Sequence, residues 1–238
     1  MREFVKEFFI DYSLVDKNYT LKLSSLLRFM QNMATEHYEL KGLGRERLIS
    51  EGMVFLLSKI ALKLEREIKA TDTLEIKTFE EGIKGAYFVR DFEFFKENEK
   101  IGSAQTLWVI VNPETHAILR PADFPYEIET TDTEVEVSAG KISTRDWTEI
   151  YKETRKVRYS DLDCNGHMNN CVYADYTIDA LAEILPEISV NEFHINFNRE
   201  CKMGDTLTLT VFDKDGKTVS GDFFDGKNSF TARIIINN

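Results

Sequence analysis

The chain reads as an α+β protein of two tandem domains, each a long helix wrapped by a curved antiparallel β-sheet. Two observations predict this. First, the sequence contains itself twice: Arg199-Glu200-Cys201-Lys202-Met203-Gly204-Asp205-Thr206-Leu207 matches residues 66–74 at six of nine positions, at an offset of 133. Tyr159-Ser160, Asp163 and Asn165 likewise match Tyr12-Ser13, Asp16 and Asn18 at an offset of 147. The echoes keep their order, and the offsets 147 and 133 differ by 14, the number of extra residues the first copy carries between them. So long a period is not that of a stacked solenoid; it implies two related domains of roughly 110 to 125 residues each. Second, each half shows one stretch of helical periodicity followed by four runs of branched and aromatic residues, which reads as a helix and then an antiparallel meander.

Residues 4–12 read as a first strand. Leu23, Leu26, Leu27, Met30, Met33 and Ala34 recur at helical spacing and predict a mostly buried amphipathic helix over residues 23–40. The extra residues of the first copy fall around 40–53, where Gly42, Gly44 and Gly52 among mixed charges predict a loop or short helix. Strands follow at 54–64, 73–79, 86–96 and 100–111, broken by Gly82, Gly85 and a Lys96-Glu97-Asn98-Glu99 turn. Beyond Pro121 and Pro125, residues 127–137 hold five acids among eleven, the composition of a charged connection. The expected division is therefore an N-terminal domain over 1–125, a connection over 126–147 and a C-terminal domain over 148–238. In the second half a strand is expected at 154–159 and a helix from about 169 to 185, stopped near Pro186. Strands at 192–198, 206–212, 218–224 and 229–236 complete it.

With 238 residues, 42% of them hydrophobic, the chain can bury a sizeable core. A formal charge of −11 argues against nonspecific nucleic-acid binding, which needs a basic surface. No apolar run approaches the roughly 20 residues of a membrane span, and residues 1–15 mix charges with aromatics rather than forming an apolar signal core. A cytoplasmic protein that binds neither membrane nor nucleic acid is expected. Cys164, Cys171 and Cys201 fit neither a disulfide framework nor a paired zinc motif, so reduced thiols are expected. Two islands are weakly basic: residues 41–69, with seven Lys or Arg against four Glu, and residues 141–158, with six against three acids. Such islands are either solvated faces or docking surfaces for an acidic partner.

The chemistry is expected in Asp161-Leu-Asp163-Cys-Asn165-Gly-His167-Met-Asn169-Asn170. A carboxylate, an amide and an imidazole within five residues can orient one another, move a proton and hold a carbonyl. Asp, Asn and Gly also build ordinary turns and caps, so the motif alone does not decide. The internal repeat supplies a control: Thr20 stands where the second half has His167, and threonine carries no titratable proton near neutral pH. Asp161, Asp163 and His167 lack a second histidine and are interrupted by an amide, so no metal site is expected. His37, His116 and His194 read as packed or solvated residues.

These residues resemble the acyl-acyl carrier protein (acyl-ACP) thioesterases of plants and bacteria. The resemblance rests on the Asp163-x-Asn165-x-His167 element and on Arg199-Glu200-Cys201, whose Glu and Cys follow the histidine by 33 and 34 residues. It rests also on Trp108-Val-Ile-Val-Asn-Pro-Glu-Thr115, on Arg120-Pro121 and on Arg90-Asp91, so it spans nearly the whole chain. It implies the double hotdog arrangement and hydrolysis of the thioester that joins a fatty acyl chain to the phosphopantetheine arm of acyl carrier protein. No cofactor is implied, and the missing plastid transit segment points to a bacterial member. Asp163, Asn165, His167, Glu200 and Cys201 are the implied catalytic positions.

Two mechanisms are open. In one, Glu200 and His167 activate a water, Asp163 fixes the imidazole tautomer and Asn165 holds the water or carbonyl. In the other, Cys201 attacks as a thiolate paired with His167. Adjacent residues on a strand face opposite ways, so without a bulge only one of Glu200 and Cys201 can face the site; water is the preferred reading. The start of the second helix is expected to offer N–H groups to the carbonyl. The first half, without a histidine, is assigned to acyl-chain binding, with Met30, Met33 and Trp108 as candidate lining residues. Carrier protein, acidic as a class, is the expected partner, docking near Arg145, Lys152, Arg155 and Lys156. A homodimer is compatible with the tandem arrangement but not required by it, because one chain already supplies the paired sheet. The rival readings are a hotdog acyl-CoA thioesterase and a non-catalytic acyl-ligand sensor.

Overall fold

The computed structural model describes every residue except 1, 132, 144–146, 214–215, 224 and 237–238. The chain forms two compact units, Met1–Ala139 and Gly140–Asn238. Each is a helix packed on an antiparallel sheet, as the internal repeat predicts.

The first unit runs β1 (Glu3–Phe9), α1 (Leu23–Leu40), α2 (Arg45–Ser50), β2 (Val54–Leu64), β3 (Thr73–Lys84), β4 (Tyr87–Lys96) and β5 (Glu99–Val111). Its strands lie in the order β1-β3-β4-β5-β2, every neighbouring pair antiparallel. The apolar stripe of α1 faces the core: Leu26, Leu27, Met30 and Met33 are at most 2% exposed, beside wholly buried Phe79, Phe92 and Phe94. Glu97 and Asn98, at φ 55° and 63°, turn β4 into β5. Positive φ at both central residues is the two-residue turn whose twist matches its strands. Gly82 was expected to end β3, yet the strand continues to Lys84. A bulge between Glu80 and Gly82, with Gly82 at φ 127°, takes up the irregularity while pairing with β4 resumes beyond it.

The second unit runs β6 (Thr148–Lys156), α3 (Val172–Ala182), β7 (Val190–Phe197), β8 (Thr206–Asp213), β9 (Lys217–Phe223) and β10 (Asn228–Ile236). The order is β7-β10-β9-β8-β6, again antiparallel throughout; Phe224, expected at the end of β9, lies outside the described residues. Several boundaries differ from expectation: β6 starts six residues early, β7 starts two early and α3 ends three early, at Ala182. β6 ends at Lys156 because residues 159–161 close a 3₁₀ turn, in which Asp161 Oδ2 accepts the Arg158 N–H at 2.7 Å. α3 begins three residues late because Asn169 Oδ1 accepts the Cys171 N–H at 2.9 Å, an Asx turn that competes with helix. Among the described residues no helix is long and apolar enough to cross a membrane.

Candidate active site

The loop that carries the Asp-Asn-His motif is tied to the segment before β8. Asp163 N–H donates to the His167 carbonyl at 2.8 Å, closing the loop, and Gly166 sits at φ 76°, a conformation that costs glycine little. His167 then forms an isolated antiparallel bridge with Lys202, and Met168 N–H donates to the Cys201 carbonyl at 2.8 Å. This lateral pairing brings the imidazole beside a carboxylate 33 residues away in sequence. His167 Nε2 lies 3.4 Å from Glu200 Oε2, with the two side chains 26% and 51% exposed. The pair is open to water and within reach of sharing a proton through a small contraction.

Cys201 turns the other way. It is wholly buried, with Sγ 2.9 Å from Ser229 Oγ, and Ser229 in turn donates to the Arg199 carbonyl at 2.9 Å. Burial pushes its thiol pKa upward against the hydrogen bonds of Ser229 and Tyr173. An apolar, enclosed thiol of this kind is a poor source of thiolate. Glu200 and Cys201 lie between β7 and β8, outside any strand, and their side chains part there, Glu200 toward His167 and Cys201 into the core.

Asp163 does not touch the imidazole. Its Oδ1 accepts the backbone N–H groups of Asn165 at 2.8 Å and His167 at 3.2 Å, and its Oδ2 accepts Asn165 Nδ2 at 3.1 Å. The carboxylate expected to fix the imidazole tautomer instead orders the loop backbone, through donors two and four residues ahead. Asn165 is exposed on the loop crest. Asn169 and Asn170 lie just before α3, and Asn169 is committed to the turn that starts it.

A depression lined by Arg199, Glu200, Lys202, Gly204, Asp205, Thr206, Phe223 and Asp225 adjoins the pair. On β6, Arg155 pairs with Asp179 at 2.9 Å and Lys152 with Glu149 at 3.3 Å, so the basic island is partly neutralised; Arg145 lies outside the described residues.

In the first unit a cavity of about 170 Å³ is walled by Leu43, Leu48, Met53, Phe55, Phe88 and Trp108 together with Tyr38, Glu80 and Arg90. Trp108 is thus on its wall, whereas Met30 and Met33 lie in the core. The polar part of that wall was missed in the sequence. Tyr38 donates to Glu80 Oε1 at 2.6 Å, Lys41 pairs with Glu80, and Arg90 Nη1 lies 3.0 Å from Nδ1 of buried His37. No motif announces this group, because it joins α1, β3 and β4; only the Arg90-Asp91 pair gave a signal. Among the described residues no cluster of three or more metal-ligating side chains occurs.

The model of the acyl-ACP thioesterase N-terminal domain matches residues 1–128, and that of the C-terminal domain residues 145–230. Among solved structures, the chain is similar to an acyl-ACP thioesterase from Bacteroides thetaiotaomicron, with 20% identity and a TM-score of 0.86 over 99% of this chain and 98% of that one. It is similar also to the 12:0-ACP thioesterase of Umbellularia californica, with 20% identity and a TM-score of 0.80 over 99% and 97%. A curated relative, the chloroplastic palmitoyl-acyl carrier protein thioesterase of Cuphea hookeriana, is 21% identical over 217 residues; the match covers 83% of this chain and 52% of that protein, about half its length. The structural likenesses carry the fold, a double hotdog. With both family models matched, the chain belongs to the acyl-ACP thioesterase family.

Proposed function

We propose that this protein hydrolyses the thioester of fatty acyl-acyl carrier protein and releases a free fatty acid. The observation that carries the reading is the His167–Glu200 pair, 3.4 Å apart and open to water, in a chain of this family. A water hydrogen-bonded to this pair loses a proton to it, and its oxygen adds to the thioester carbonyl. Collapse of the tetrahedral intermediate breaks the C–S bond, and the carrier's thiolate takes the proton back from the pair. The Asn165 amide and the N–H of Asn170, just before α3, are the candidate donors for the oxyanion, where the helix dipole adds to them. One such donor contributes roughly 10²- to 10³-fold in rate. Cys201, buried and hydrogen-bonded, serves this mechanism as packing.

Metal and cofactor play no part in this scheme. The first unit's cavity is the proposed seat of the acyl chain, with Trp108 on its wall. The acidic carrier is the proposed partner; for its docking, Lys156, at the end of β6, is the one of the described candidates that the observed ion pairs leave unneutralised. The test is release of free fatty acid from acyl-ACP by the purified protein, with acyl-CoA of the same chain in parallel. Higher kcat/KM on acyl-ACP, lost in His167→Ala, is the expected result. Turnover of acyl-CoA alone, or none on either, contradicts the proposal.

A further inference from the structure

The loop that carries His167 is built twice, and only one copy holds an imidazole. In the second unit Asp163 Oδ1 accepts the N–H groups of Asn165 at 2.8 Å and His167 at 3.2 Å; in the first, Asp16 Oδ1 accepts those of Asn18 at 2.8 Å and Thr20 at 3.0 Å. Asp163 N–H donates to the His167 carbonyl at 2.8 Å, and Asp16 N–H to the Thr20 carbonyl at 2.8 Å. The residue before the fourth position is left-handed in both, Gly166 at φ 76° and Tyr19 at 59°.

The tether is duplicated as well. His167 bridges Lys202 and Thr20 bridges Lys69. Beside them, Met168 N–H donates to the Cys201 carbonyl at 2.8 Å and Leu21 N–H to the Ile68 carbonyl at 2.7 Å. The far strand is pinned alike: Asp205 Oδ2 accepts the Lys202 N–H at 2.8 Å, and Asp72 Oδ2 the Lys69 N–H at 2.7 Å. What differs is the side chains set on this frame. In the first unit Lys69 Nζ donates to Thr20 Oγ1 at 2.8 Å and lies 2.7 Å from Glu67, so that carboxylate is neutralised. In the second unit the equivalent carboxylate, Glu200, faces the imidazole.

A carboxylate that makes the same bonds where there is no imidazole is not there for the imidazole. We propose that Asp163 is a positioning residue: it fixes the backbone from Asn165 to His167 so that the ring meets Glu200, and it takes no part in proton transfer. The proposal rests on the active-site reading above and narrows it, leaving His167 and Glu200 as the groups that handle the proton.

The discriminating substitutions are Asp163→Asn, which keeps an oxygen to accept the two N–H bonds, and Asp163→Ala, which keeps none. Expected on acyl-ACP are kcat/KM within about tenfold of the parent for Asp163→Asn, an unchanged pH–rate profile, and a loss of roughly 10²-fold or more for Asp163→Ala. Where an aspartate truly orients a catalytic imidazole, amide replacement costs about 10⁴-fold in kcat. A loss of that size in Asp163→Asn, or a shifted pH profile, overturns the proposal. His167→Ala is run alongside. Full activity there overturns the site and the proposal with it, whereas inactive Asp163→Asn beside inactive His167→Ala overturns the positioning role alone.

Discussion

Glu200 and Cys201 are neighbours in sequence and strangers in environment. Only one of them faces His167, and that much was legible from two adjacent letters, although they lie between β7 and β8 and not on a strand. What assigns the faces is Ser229, 28 residues away, whose hydroxyl takes the Cys201 sulfur. No local pattern encodes that contact. The same holds for Asp91, marked in the sequence only by its place beside Arg90. It is wholly buried on β4, and neither carboxylate oxygen meets a donor at hydrogen-bonding distance. Burial first, and then the charge of Glu81, raise its pKa from 3.8 to about 7. Because the folded state keeps this proton longer than the unfolded state, the stabilisation is complete below about pH 4 and is lost as pH rises through 7. Asp91→Asn removes that dependence. Denaturant titrations should show the variant gaining on the parent by roughly 2–4 kcal/mol between pH 4 and 8, and a difference constant across that range would refute the assignment.

At the scale of elements, periodicity located α1 and the strands well and misjudged their ends. α3 begins late because Asn169 spends its side chain on a turn, and β3 runs on because a bulge at Gly82 substitutes for the break that glycine suggested. Both errors come from side-chain and backbone bonds that outcompete propensity. β9 and β10 show a closer constraint. A Cβ built on Gly221 comes within 2.1 Å of the ring of Phe230, which is wholly buried in the second unit. Gly221→Ala must therefore displace that ring or part the strands, at a cost of about 1–3 kcal/mol. Chemical denaturation checks it: an unchanged midpoint would mean that the ring has room to move, and Phe230→Leu in the same background should recover part of the loss.

For the whole molecule, the repeat was the most legible feature. Matching short segments at offsets of 133 and 147 implied two related domains, and two units with equivalent helices, sheets and loop frames are what the chain forms. The cavity of the first unit was legible only in part, through Trp108, because its polar wall of Tyr38, Glu80 and Arg90 assembles from three elements. The two frames differ in their side chains: one sets His167 beside Glu200, and the other closes Thr20, Lys69 and Glu67 on one another. In the mechanism proposed above a water bound to His167 and Glu200, and not the Cys201 sulfur, attacks the thioester. The most direct test of that mechanism is kcat/KM on acyl-ACP for Glu200→Ala and Cys201→Ser measured side by side, together with a search for acyl-enzyme after rapid quench. The expected results are a loss of roughly 10²- to 10⁴-fold for Glu200→Ala, activity within about tenfold of the parent for Cys201→Ser, and no acylated cysteine. An active Glu200→Ala variant, or acyl groups trapped on Cys201, would contradict it.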